Sequence, residues 1–242
     1  MSAAPDEGPP KDSGETLHVA APAPEAQNIN VEGRKTQSPR EGFGQLWRKT
    51  YRLPLAGANV TPEQVVATWK EHFSDVQPPE NRVYPPLFGM KEGEVVLIEA
   101  QAPGAPPIST GVLVMEATPL AFKLATPQGH PEAGWVEFCA ERRDDGVVVA
   151  QIQSVARASD PLYEVAFRIR GSKEQERIWH HVLKSVAGYF GTSGEVEFRR
   201  EMLDPDLQWS KAFNLRHNAM IGTILHNLTS PIRRLLGKDG KR

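Results

Sequence analysis

The chain has 242 residues, a net charge of −2, one cysteine and 39% hydrophobic residues. That length supports one sizeable core with appendages, and the near-neutral balance excludes a general attraction to nucleic acid. The single Cys139 rules out an intramolecular disulfide and fits a reducing interior. No basic leader opens the sequence and no uncharged apolar run approaches the roughly 20 residues of a membrane span, so a cytoplasmic location is expected.

Residues 1–42 are rich in Pro, Ala, Gly, Glu and Ser, with almost no aromatic or β-branched periodicity. Such a segment cannot bury enough apolar surface to offset its ordering entropy, and disorder is expected there. Order is expected from Gln45. Leu46–Leu55 alternates as a strand. Asn59 or Thr61 then caps a helix with Pro62 at its first position and Val65, Val66, Trp69 and Phe73 on its apolar face. Ser74–Gly89 carries Pro78, Pro79, Pro85 and Pro86 and reads as a stiff connector.

Strands follow at 94–101, 110–118, 121–126, 134–143, 147–158 and 162–169, separated by short turn signals such as Asp145-Gly146. Val112–Met115 is apolar on both faces and reads as a central strand. Ser172–Gly191 is the best-defined helix. Ser172 and Gln175 form a capping-box pattern, Ile178, Trp179, Val182, Leu183, Val186, Tyr189 and Phe190 make one face, and Gly191 stops it. Gly194–Leu203 reads as a strand or short helix. A second helix spans Trp209–Leu228, broken by Pro231. From Lys211 to Arg242 seven basic residues face one acid, Asp239.

The predicted fold class is α+β: a curved antiparallel sheet wrapped on a long C-terminal helix, the helix-grip arrangement, with a disordered N-terminus and an extra C-terminal helical tail. The predicted organisation is a disordered segment at 1–42, a domain at 45–191, and a helical, basic extension at 192–242.

Leu124–Phe138 (LATPQGHPEAGWVEF) resembles the signature of the DUF1990 family, placed near the START-like, Bet v 1-like (SRPBCC) proteins. Gly129, His130, Pro131, Glu132 and Gly134 match its Gly-His-Pro-Glu turn and second glycine. Trp135 and Val136 replace the paired acids that follow in the family pattern, which leaves Glu137 and marks a divergent member. Ala156–Pro161 matches the small-residue and proline break before the family's C-terminal helix. The resemblance covers about 47–191 and implies the helix-grip fold and a pocket, with no established reaction.

Three kinds of site compete. In the turn, His130 and Glu132 either hold a hairpin in register, contact a ligand, or act as an acid–base pair. Inside, Phe122, Leu124, Phe138 and Ile152 from the sheet with Val182 and Val186 from the helix would wall a ligand pocket, or equally make a filled core. At the end of the chain, 209–242 can lie on an anionic membrane surface or pack on its own domain or a second subunit. Adjacent His180 and His181 lack the spacing of a helical metal site, and Cys139 reads as a small hydrophobe. No Walker A, GxGxxG, HExxH, GxSxG or CxxC pattern occurs, and no cofactor or metal is expected.

The function expected from these readings is binding or carriage of a hydrophobic small molecule or lipid between sheet and helix, without nucleic acid. The alternatives are an enzyme using His130 and Glu132 on an apolar substrate, and a non-catalytic module, homo-oligomeric or membrane-surface, working through the basic tail.

Overall fold

A computed structural model describes residues 14–20, 22–23, 25–101 and 106–235, with backbone alone for 170 and 231–235. The expectations for 1–13, for most of the turn at 102–107 and for Lys238, Asp239, Lys241 and Arg242 lie outside the described residues.

β1 (Leu46–Pro54) leads to α1 (Pro62–Glu71). Thr61 accepts the Gln64 amide, the Gln64 side chain returns to the Thr61 amide, and Pro62 takes the first helical position, so the start of α1 is set by local chemistry. Next come β2 (Asn81–Tyr84), β3 (Val95–Ala100), β4 (Ile108–Ala117), β5 (Ala121–Ala125), β6 (Glu132–Arg142) and β7 (Val148–Ala158). With β8 (Glu197–Asp204) they form one antiparallel sheet in the order β2-β3-β4-β5-β6-β7-β1-β8. β2 falls inside the stretch expected as a connector; it is four residues long, ended by Pro85 and Pro86. β4 is paired on both sides, as its apolar faces require.

The segment expected as a strand at 162–169 is helical. Asp160 accepts the Leu162 and Tyr163 amides and Pro161 opens α2 (Pro161–Ala166), which passes through a π turn (Phe167–Gly171) into α3 (Ser172–Tyr189). The alternation in this stretch mimics a strand, but an Asp N-cap followed by Pro starts a helix. Ser172 therefore sits in mid-helix geometry (φ −64°, ψ −39°) and bonds to the Phe167 carbonyl instead of capping. Gly191 takes the left-handed conformation (φ +64°) that closes the helix. The second helical region also differs from expectation. Trp209–His217 is a 3-10 helix, and Asn218 then caps α4 (Ala219–Leu235) by accepting the Ile221 amide. α4 continues through Pro231, so that proline does not end it.

α1 and α3 cover the inner face of the sheet, which carries the main core. The outer face is covered too. Leu17 and Val31 are buried against Val95, Leu97 and Leu113, so residues 14–42, where described, are part of the fold and correct the expectation of disorder. The backbone there is satisfied pairwise, Leu17 to Arg34 and Thr36 to Glu15, with bridges between Thr16 and Lys35 and between Thr36 and Pro127. Asn30 fastens this segment to the C-terminal helix: its amide donates to the Ser109 carbonyl, the Ala219 carbonyl and the Thr223 hydroxyl, at 2.8, 3.0 and 3.1 Å.

Candidate functional site

The inner face is built in rows. Tyr51, Ile152, Phe138 and Phe122 pair in register across β1, β7, β6 and β5. Phe122 and Phe138 stack with centroids 4.7 Å apart. Trp69 of α1 and Phe73, just after the end of that helix, stand edge-on to both rings, at 5.3 to 6.2 Å. Val182, Leu183 and Val186 of α3 close the layer. The six anticipated pocket walls, Phe122, Leu124, Phe138, Ile152, Val182 and Val186, are thus brought together and buried. Trp69 from α1 and Phe73 from the turn after it lie on top of the paired phenylalanines, and here the inner face is core.

The N-terminal half of α3 covers a more polar stretch. Gln175 donates to the Glu132 carboxylate at 2.7 Å and accepts from the Lys49 ammonium. Glu132 comes from the start of β6, Lys49 from the middle of β1, and Gln175 from α3, so the trio ties helix to sheet. Burial raises the Glu132 carboxyl above its ordinary value, opposed by the Lys49 charge and the Gln175 bond. Beside Lys49 on the same strand face, Tyr51 stacks on Phe198 at 4.7 Å and faces His180 edge-on at 6.0 Å. Burial, then the charges of Glu132 and Glu176, raise its phenol.

Three buried polar atoms on this side have no hydrogen-bond partner among the described residues, the Tyr51 hydroxyl, the Trp179 indole nitrogen and Nε2 of His180, and the Trp69 indole nitrogen over the paired phenylalanines has none either. Leaving such a group unbonded costs about 1–3 kcal/mol, and Tyr51, Trp179 and His180 all belong to the contact between α3 and the sheet.

The Gly-His-Pro-Glu turn is fastened differently from the acid–base pair weighed above. His130 Nδ1 receives the Glu132 backbone amide at 3.0 Å, and its carbonyl accepts the Ser159 hydroxyl at 2.5 Å. Burial pushes the His130 ring down to about 4, against the Glu132 backbone, which acts the other way. The Glu132 side chain bonds to Gln175, so the hydrogen bond between the two residues runs through the Glu132 backbone. The glycines are there for close approach. A Cβ on Gly129 (φ +90°) would lie 2.0 Å from the His217 carbonyl, and one on Gly134 (φ +151°) 2.2 Å from the Val155 carbonyl.

Cys139 is half-buried opposite Gln151, and burial with the charges of Glu137 and Glu141 pushes its thiol up to about 12, which removes it as a nucleophile at neutral pH. Of the two histidines in α3, His180 faces Tyr51 and His181 is exposed. No group of His, Cys, Asp and Glu among the described residues could hold a metal ion, and no helix there is long and apolar enough to cross a membrane. Lys49, Tyr51 and Gln175 are not among the site residues expected from the sequence; Lys49 and Tyr51 share one strand face, but Gln175 read as half of a capping box.

Residues 63–185, just over half of the chain, match the family described as "Domain of unknown function (DUF1990)". Similar solved structures include protein Ms6760 from Mycobacterium smegmatis, 11% identical over 61% of this chain and 93% of that one, with a TM-score of 0.42. Ara h 8.0201 is 12% identical over 60% and 97%, with a TM-score of 0.41. The Zhui aromatase/cyclase from Streptomyces sp. R1128 is 17% identical over 60% and 94%, with a TM-score of 0.41. No curated protein matches the chain.

Proposed function

The chain belongs to the DUF1990 family, a membership that names no reaction, and from its own geometry we propose that it binds a small, mostly apolar molecule with one hydrogen-bonding end. The site is the junction between the N-terminal half of α3 and the inner face of β1 and β6. The observation that carries this reading is the set of buried polar atoms with no partner among the described residues, Tyr51 hydroxyl, Trp179 indole N–H and His180 Nε2, bordered by the Lys49–Gln175–Glu132 network. Aromatic and aliphatic side chains surround these atoms, and an apolar lining with a few placed polar groups is the usual make-up of a small-ligand site. The deep end, under Trp69 and Phe73, is solid, so the molecule enters from the Gln175 end and its polar group meets the network. Half-buried Val136, Ile178 and Trp179 supply apolar contact there. Binding fits this geometry better than catalysis through His130, whose Nδ1 is taken by backbone.

Native mass spectrometry of the purified chain, with organic extraction of anything released, tests the reading. The expected result is a discrete adduct lost on denaturation, and weakened in Gln175→Leu and Tyr51→Phe. A bare mass, followed by no change in melting temperature across a panel of apolar acids, alcohols and ketones, overturns it.

A further inference from the structure

Away from the inner face, two neighbouring segments leave large apolar side chains in water. Leu162, Val165 and Ile169 recur at spacings of three and four along α2 and the π turn, and all are exposed, Ile169 by 71%. The 3-10 helix Trp209–His217 packs beside α2 and exposes Trp209 by 71% and Phe213 by 72%, with Leu215 exposed as well. The segments are held together from beneath. The Asn214 amide donates to the Ser159 carbonyl at 2.9 Å, Asn218 donates to Asp160 at 2.8 Å, and Tyr163 accepts the Met220 amide at 3.0 Å. The polar contacts of this region point inward and its apolar side chains outward, the reverse of an ordinary surface.

The charges among them have one sign. Within 161–173 and 209–217 the only acid is Glu164, which is buried and paired with Arg168 at 2.8 Å. Lys173 and Arg216 are exposed, Lys211 is half-exposed, and the Arg216 guanidinium lies over the Phe213 ring at 4.9 Å. We propose that this face docks the protein on a bilayer surface containing anionic phospholipid. Trp209, Phe213 and Ile169 enter the boundary between headgroups and acyl chains, and Lys173, Lys211 and Arg216 meet the phosphates. Exposed aromatic and aliphatic side chains interleaved with Lys and Arg suit that boundary, where apolar burial and attraction to anionic headgroups add. A second copy is a worse occupant, because a two-fold contact would set these cations against their own equivalents.

Sedimentation of the full chain with vesicles of phosphatidylcholine alone, or of equal parts phosphatidylcholine and phosphatidylglycerol, tests the proposal. The chain is expected to sediment with the anionic vesicles only and to be released by high salt. Ile169→Ser with Phe213→Ser, and separately Lys211→Glu with Arg216→Glu, should each weaken binding roughly tenfold or more. Ile169, Phe213 and Arg216 are exposed and Lys211 is partly exposed, so the melting temperature should stay near that of the parent. Salt release of the unaltered chain is a readout that depends on no variant. Failure to sediment with anionic vesicles overturns the proposal, as does unchanged binding by both variants. A dimer in light scattering that the apolar variant abolishes, without vesicle binding, assigns the face to a second copy instead.

Discussion

The indole of Trp69 stands edge-on to the ring of Phe138, with centroids 5.3 Å apart and planes at 77°. One residue of α1 thereby occupies the space over the stacked pair Phe122 and Phe138, where a pocket would otherwise open. Trp69→Ala should lower stability by about 3–5 kcal/mol, the range for removing a large aromatic from a packed core. Urea denaturation measures it; a loss under about 1 kcal/mol would show slack in this layer.

Tyr51 gives a test of opposite sign. Its hydroxyl is buried without a partner among the described residues, so Tyr51→Phe removes a desolvated group and should leave ligand-free stability unchanged or raised by about 1 kcal/mol. The same variant should weaken the proposed ligand by roughly five- to tenfold. A marked loss of ligand-free stability would mean that the hydroxyl already has a partner in the protein.

Gly129 and Gly57 share a positive φ, +90° and +79°, but a Cβ at Gly57 meets open space while one at Gly129 meets the His217 carbonyl. Gly57→Ala should therefore cost about 1 kcal/mol, the conformational share alone. Gly129→Ala should cost about 2–4 kcal/mol and loosen the crossing chain, because Gly129 also accepts the Ala219 amide. Faster hydrogen exchange at 217–223 in the Gly129 variant, and not in the Gly57 variant, is the expected pattern. Equal exchange in both would detach the turn from the tail.

His130 links stability to pH. Its folded value is depressed to about 4 from 6.5, so the neutral ring is favoured by folding. The stabilisation is complete above about pH 6.5, where both states are neutral, and is lost as pH falls toward 4, because the unfolded chain takes up the proton first. His130→Gln should flatten the pH profile in that window by on the order of 2–3 kcal/mol relative to the parent. Parallel profiles for the two proteins between pH 7 and 4 would rule this out.

Parts of the site were legible in the residues and parts were not. The six inner-face residues and the histidine turn stood out through alternation and the Gly-His-Pro-Glu signature. Gln175 did not, because Ser172 three residues earlier offered it a capping role that a continuous helix from Pro161 takes away. The outer cover had a readable trace: Val95, Leu97 and Leu113 put apolar side chains on a face that would otherwise be wet. What covers them could not be read, since Leu17 and Val31 sit in polar, proline-rich surroundings and contribute one buried side chain each.

The sequence by itself determined the capped start of α1, the inward sets of β5 to β7 and the stop at Gly191. Those features depend on residues near one another in the chain, through period-two burial, capping hydrogen bonds and backbone freedom. Tertiary structure alone decided that the inner face is mostly core, that Leu17 and Val31 lie on the outer face, and that Lys49, Gln175 and Glu132 meet. Those outcomes depend on which side chains arrive from distant segments. Trp69 fills the layer from α1, and Asn30 reaches Thr223 across 193 positions, a contact that no local pattern encodes.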